Sequence, residues 1–336
     1  MLLVNFAEVV ALVFFSLILG WTVYNLPALL VGVRQIRGRN LADGDRGKDG
    51  AGFDLPFFSL IVPMKDEGKV AERILGALVR LDYPSNRYEV VIVDESCVDE
   101  TSDVCRKYED LYPSRIRFFH RISSTGKPSA LNYGLKLARG EIIGVFDADN
   151  LPESNVLLRA AEHFRRHDIV AVQGLLSSIN ADENMLTKFI HYENILQYFA
   201  FFAGRDKLGL FVPLAGTCQF LRRSVLNEVG GWSERALAED MELAAKLTEK
   251  GYRVKFASDV RSLLENPSNF RQLVGQRARW FRGCMDVAVK YGRLLKCFDK
   301  RSLDAEVFFS GPFVMVLFLL THLLGLYALF APFNFG

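Results

Sequence analysis

The chain is short of several features that mark common protein classes. Cysteine is sparse, with Cys97, Cys105, Cys218, Cys284 and Cys297 in 336 residues and no Cys-x-x-Cys pair. That spacing excludes a zinc-ribbon or disulfide framework, and ordinary reduced thiols fit a cytosolic domain. A dominant charge is also missing. The formal net charge is +2 and no basic run is interleaved with aromatics, so no nucleic-acid partner is expected. No glycine stands five residues before Gly126-Lys127, which excludes a P-loop. Charge is absent altogether from two long stretches: neither Val9–Val33 nor Val307–Gly336 contains Asp, Glu, Lys or Arg.

Each uncharged stretch has the apolar length to cross a bilayer. The first has no preceding basic residue and no small-residue cleavage site, so it reads as a retained helix and not a signal peptide. In the second, Gly311-Pro312 predicts an interfacial start over Ala305–Ser310 and a span from near Phe313. Arg34, Arg37 and Arg39 follow the first stretch, and Lys296, Lys300 and Arg301 precede the second. Both internal flanks are positive, which places the middle of the chain in the cytosol and both termini outside the cell membrane. The expected organisation is a membrane helix over 1–34, a solvated Gly/Asp/Arg-rich linker over 35–53, a cytosolic domain over 54–268, an amphipathic membrane-surface helix over 269–304 and a second membrane helix over 305–336.

Within the domain, strand-like runs (57–63, 88–94, 116–120, 142–147) alternate with helical runs (69–81, 100–108, 128–138). That order predicts an α/β fold with a mostly parallel sheet and helices on both faces. Ligands of such sheets sit beyond the carboxyl ends of the strands. Three strands run there into polar clusters: Lys65-Asp66-Glu67, Asp94-Glu95-Ser96 and Asp147-Ala148-Asp149-Asn150. The domain divides into a regular half over 54–150 and a less regular half over 151–268. The later segment 185–202 reads as a long helix whose dense aromatics suit either a core or a membrane interface.

Asp147 and Asp149 lie two apart at a strand end, where both carboxylates point to one side and suit Mg²⁺ or Mn²⁺. A turn or capping role would use the same residues. Gly126-Lys127 puts a cation and free amides at a helix start, a place for a phosphate or sugar hydroxyl. Glu239-Asp240 precede a helix over 241–250; they serve as capping carboxylates, as a general base, or as both. Gln276 and Arg279 share a helical face suited to one diphosphate, and Trp280 is placed to stack on a sugar.

Together these residues resemble glycosyltransferase family 2, in its cellulose-synthase-like and hyaluronan-synthase-like branch with the GT-A fold. The resemblance runs in order from Asp54 to Arg282. Val62-Pro63 with Asp66-Glu67 and Val93-Asp94-Glu95-Ser96 with Asp99 resemble the nucleotide motifs, and Gly126-Lys127 with Ala130-Leu131-Asn132 the next. Asp147-Ala148-Asp149 is the metal motif, Gly216-Thr217 with Arg222-Arg223 the acceptor loop, Glu239-Asp240 the base motif, and Gln276 with Arg279-Trp280 the Gln-x-x-Arg-Trp motif. The resemblance implies nucleotide or donor contacts from Pro63, Asp66, Glu67, Asp94, Lys127, Asp147, Gln276 and Arg279. It implies acceptor contacts from Gly216, Thr217 and Trp280, metal held by Asp147 and Asp149, and a catalytic base at Asp240 beside Glu239. Glu95 where a second Asp is common, and Ala238 where Thr often stands, depart from the pattern; the first leaves the base of the nucleotide open.

Two spans are too few to enclose a polymer channel. The leading expectation is therefore an inverting transfer of glucose or mannose from a UDP- or GDP-sugar to a lipid-linked glycan or polyprenyl phosphate at the cytosolic leaflet. A processive polysaccharide synthase, acting as a homo-oligomer or as part of a longer protein, is the alternative within the family. An inactive nucleotide-sugar-binding scaffold is the alternative from another class.

Overall fold

A computed structural model describes residues 6–39, 54–123, 125–292 and 299–330. Four strands, β1 (Phe58–Met64), β2 (Tyr88–Glu95), β3 (Ile116–Arg121) and β4 (Ile142–Val145), form a parallel group in the order β3-β2-β1-β4. The run Val90-Val91-Ile92-Val93 in β2 is wholly buried, as a strand covered on both faces requires. The crossovers are α2 (Gly68–Leu78), α3 (Thr101–Leu111) and α4 (Lys127–Leu137). In α2, Ala71, Ile74, Leu75 and Leu78 recur at helical spacing and are buried against the sheet. Register brings Met64 beside Asp94 and Asp94 beside His120, so the polar clusters after β1 and β2 share one edge with the end of β3.

The second half adds β5 (Leu151–Pro152), β6 (Ala171–Ser178), β7 (Gln219–Arg222) and β8 (Val254–Leu264), completing the order β3-β2-β1-β4-β7-β6-β8-β5. β7 pairs antiparallel with both β4 and β6, so the sheet is mixed here and parallel only over β1–β4, apart from the β6–β8 pair. Four-residue β7 is too short to show a period of its own, and the sequence reading does not find it. Helix α5 (Val156–Phe164) covers β8; α8 (Arg223–Glu228) follows β7, and α9 (Glu239–Glu249) packs against the later helices Phe270–Tyr291 and Lys300–Phe309.

The aromatic segment divides its two expected roles. Helix α6 (Met185–Ile195) passes into a π-helical stretch, Leu196–Phe202, and then α7 (Ala203–Lys207). Met185, Phe189, Tyr192 and Leu196 are exposed along one side, whereas Tyr198 and Phe202 are buried and meet Phe256 at ring distances of 6.4 and 6.0 Å. Helix α1 (Phe6–Arg39) lies against this stretch with the two backbones in contact: a Cβ on Gly32 would sit 1.7 Å from the Ala200 carbonyl oxygen, and one on Gly204 would sit 1.7 Å from that of Ala28.

Within α1, Val9–Gln35 is long and apolar enough to cross a membrane. The carboxyl-terminal pair α11 (Lys300–Phe309) and α12 (Gly311–Phe330) bends by 42° at the expected Gly311-Pro312 break, and qualifies as a span only as a bent pair. Trp21 Nε1 donates to Val307 O at 3.0 Å and joins α1 to α11. Beside it, Arg205 of α7 and Asp304 of α11 pair while wholly buried. Asn25 Oδ1 accepts from Arg205 at 3.2 Å, Tyr24 donates to Asp304 at 2.9 Å, and the Phe211 amide donates to Asp304 at 2.7 Å. Helix α10 (Phe270–Tyr291) supplies the amphipathic segment, with Phe270, Val274, Trp280 and Phe281 exposed. Most of the expected linker, residues 40–53, lies outside the described residues, as do Lys296 and Cys297; α1 continues through Arg39.

Candidate active site

Lys127, the first residue of α4, reaches across the strand ends. Its Nζ lies 2.6 Å from Asp147 Oδ1, 3.5 Å from Glu239 Oε1 and 3.1 Å from the Gly216 carbonyl oxygen. One ammonium thus joins the turn after β4, the start of α9 and the loop before β7. Burial works against its charge, but Asp147 and then Glu239 outweigh it and hold the amine charged. Gly216 has φ 76°, and a Cβ there would lie 3.1 Å from Asp240 Oδ2 and 3.3 Å from Lys127 Nζ. Only glycine adopts this turn cheaply while leaving both charged groups their room.

The Asp147–Asp149 turn is held from three sides. The Asp147 amide donates to Thr217 Oγ1 at 3.0 Å, and Thr217 donates to buried Asn150 Oδ1 at 2.9 Å. Asn150 Nδ2 donates to Asp149 Oδ1 at 2.9 Å. Arg73 of α2 donates to the Asp149 carbonyl at 3.0 Å and pairs with Glu265 at 3.0 Å. Burial, then the charge of Asp147, raises the Asp149 carboxyl above its usual range. Glu67 is pushed up to about 7 by burial and then by Asp149 and Asp147. The charges of Asp147 and Asp149 thus both act on Glu67. These hard oxygen donors, with one oxygen already facing an ammonium, fit a divalent Mg²⁺ or Mn²⁺ ion.

Asp240 stands across Lys127. Burial, then the negative charge of Glu239, pushes its carboxyl up to about 7, with Lys127 pulling the other way. Its charge also acts on buried Tyr198 of the π-helical stretch and on Cys284 of α10, whose thiol is raised to about 11 chiefly by burial. Gly283 brings α10 onto the residue before this pair: a Cβ there would lie 2.6 Å from that of Ala238.

Other expected residues stand farther from this cluster. Asp94 is wholly buried at the end of β2, accepting from the Cys97 amide at 2.8 Å, from Ser102, and from His120 Nδ1 at 2.9 Å. Asp66 has φ 54° and accepts from the Val98 amide at 2.8 Å, so it shapes the loop after β2. Pro63 pairs with Val93 inside the sheet. Gln276 is half-buried and Arg279 exposed, and among the described residues neither bonds to the carboxylate cluster. Arg277 instead pairs with Glu193 at 2.6 Å and stacks 4.6 Å from the centroid of Trp280, which is exposed. Sequence reasoning misses Arg73, Tyr198 and Gly283, each placed by packing between elements distant in the chain. The departure Glu95 has a local role: it accepts from the Thr125 and Gly126 amides at 3.0 and 3.3 Å and pairs with Arg121, fixing the turn that presents Lys127.

A family model described as "Glycosyltransferase like family 2" matches residues 56–283, the span that carries all of these groups. The chain belongs to glycosyltransferase family 2. It is 32% identical over 245 residues, 71% of this chain and 57% of the relative, to a Bacillus subtilis protein named "Probable glycosyltransferase YdaM". It is 34% identical over 231 residues, 68% of this chain and 49% of the relative, to the beta-monoglucosyldiacylglycerol synthase of Nostoc. The chain therefore spans about half the length of these curated relatives. Its fold matches that of the mannosyltransferase PcManGT from Pyrobaculum calidifontis, solved with GDP-Man and Mn²⁺, at a TM-score of 0.67 and 21% identity over 92% of this chain and 85% of that one. The α/β architecture is thus GT-A-like.

Proposed function

We propose that this family 2 chain is a membrane-bound inverting hexosyltransferase that passes glucose or mannose from a UDP- or GDP-hexose to a lipid-linked acceptor in the cytosolic leaflet. The observation that carries the reading is the convergence of Lys127, Asp147, Gly216, Glu239 and Asp240 within a few ångströms at the strand ends. Asp240 is the proposed base, with Glu239 keeping its proton affinity high. It takes the proton of the acceptor hydroxyl as that oxygen bonds to the anomeric carbon. The bond from that carbon to the diphosphate breaks, its electron pair leaves with the diphosphate, and the carbon inverts. Lys127, freed from Asp147, is placed to meet the charge gathering on the leaving group, with Gln276 and Arg279 approaching from α10.

Asp147 and Asp149 would hold Mg²⁺ or Mn²⁺, which when bound neutralises diphosphate charge. Pro63, Asp66, Glu67 and Asp94 form the nucleoside end, and Gly216, Thr217 and Trp280 the acceptor side. A lipid acceptor is supported by the exposed apolar residues of α6 and α10, by the apolar helix α1, and by the name of the Nostoc relative. The test is a screen of the purified chain with Mg²⁺ or Mn²⁺ against UDP- and GDP-hexoses and a lipid extract, reading diphosphate release. One donor is expected to give lipid-dependent release. Release from none would refute the reading, and a ladder of long products would replace the single addition with a polymer synthase.

A further inference from the structure

Gln173 lies on β6 with no exposed surface, and Ala171, Val172, Leu175 and Leu176 of the same strand are buried with it. Burying a carboxamide among apolar side chains costs free energy unless its atoms are bonded. Here they are. Oε1 accepts from the Ala215 amide at 2.8 Å, and Nε2 donates to the Thr217 carbonyl at 3.1 Å and to the Gly174 carbonyl at 3.0 Å. Two of these three partners flank Gly216. A carboxamide suits the place because it offers an acceptor and a donor side by side, matching an amide and a carbonyl two residues apart. The turn it holds has few other polar ties: among the described residues, no backbone-to-backbone hydrogen bond reaches 212–216. Yet this turn serves the charged cluster. The Gly216 carbonyl accepts from Lys127 Nζ at 3.1 Å, a Cβ on Gly216 would meet Asp240 Oδ2 at 3.1 Å, and Thr217 Oγ1 accepts from the Asp147 amide at 3.0 Å.

We propose that Gln173 is a positioning residue for the transfer step: its carboxamide fixes the Ala215–Thr217 turn, so that the Gly216 carbonyl holds the Lys127 ammonium between Asp147 and Glu239. The inference rests on the transfer reading above. Gln173 touches no reacting atom and acts through Gly216 and Lys127. With its bonds removed, the turn keeps only apolar burial, which has no direction, and the Gly216 carbonyl no longer sets where the ammonium stands when the diphosphate arrives.

The test uses the full chain in detergent with Mn²⁺, the preferred nucleotide-hexose and its lipid acceptor, at about pH 6.5 and below the melting midpoint of every variant. Gln173→Met keeps the length of the side chain without its bonds. Gln173→Glu restores them, because burial keeps its carboxyl protonated and able both to accept and to donate. Gln173→Met is expected to lower kcat about tenfold, the worth of about one buried hydrogen bond, while the calorimetric Kd of the nucleoside diphosphate stays within about threefold of wild type. Gln173→Glu is expected to return kcat to within about threefold of wild type. Wild-type kcat in Gln173→Met overturns the proposal, as does an equal loss of nucleotide affinity, the mark of a residue that only supports the fold. Should Gln173→Met not fold, a folded Gln173→Glu with less than about a tenth of wild-type kcat overturns it as well. Each of these results leaves the transfer reading intact. Absence of transfer by the wild type overturns that reading and this inference with it.

Discussion

A general base works only after its proton has left, and Asp240 holds that proton up to about pH 7. The expected kcat/KM rises with unit slope through pH 6 and levels above about 7; a profile flat from pH 5 to 8 would remove Asp240 from the role. Stability runs the other way. The folded pKa is raised above that of an unfolded aspartate, near 3.9, so ionisation costs folding free energy, from little below pH 4 to the full amount above 7. Asp240→Asn is therefore expected to raise the melting temperature by about 2 °C or more at pH 8, to change it little at pH 4, and to lower activity at least about 100-fold. At Gly216, alanine meets both a φ of 76° and Asp240 Oδ2 at 3.1 Å. Gly216→Ala is expected to lower kcat about tenfold or more, read in single-turnover assays, with nucleotide affinity less affected.

At the scale of elements, the joint between α1, α7 and α11 is closed by charge inside apolar surroundings. Arg205 has no exposed surface, and its guanidinium lies 4.9 and 5.0 Å from the Phe201 and Phe308 rings. Asp304→Ala leaves that guanidinium without its carboxylate and is expected to cost about 3–5 kcal/mol. Unfolding in detergent would show it as a large drop in midpoint, and an unchanged midpoint would refute it. This joint was not legible in the sequence, because Asn25, Arg205 and Asp304 share neither a motif nor a period and meet only through the tertiary fold. The parallel strands and their crossovers were legible, since each carries its own apolar pattern and three of the strands run into polar clusters. The candidate site was legible as a set of pieces: Asp147, Lys127 and Asp240 stood out singly, while the supports at Arg73, Thr217 and Tyr198 arise from packing between segments far apart in the chain. The aromatic segment 185–202 defeated a single reading because one side of it faces out and the continuing π-helical stretch faces the core.

For the molecule as a whole, the apolar helix packs onto the domain that carries the candidate site. α1 touches the backbone of the π-helical stretch, and Tyr198 of that stretch lies close enough to Asp240 to feel its charge. Gly32→Leu forces a side chain into the Ala200 carbonyl and is expected to reduce transfer as well as stability, as residual activity at a temperature where the variant stays folded would report. The central claim is that the carboxylate and lysine cluster transfers a hexose by one inverting displacement. Its most direct test is the anomeric configuration of the product, read by NMR for wild type and Asp240→Asn with an α-linked donor and Mn²⁺. The account predicts a β-linked lipid product from wild type, and at least a 100-fold loss in the variant with nucleotide binding retained. An α-linked product, or transfer by Asp240→Asn at the wild-type rate, would contradict it.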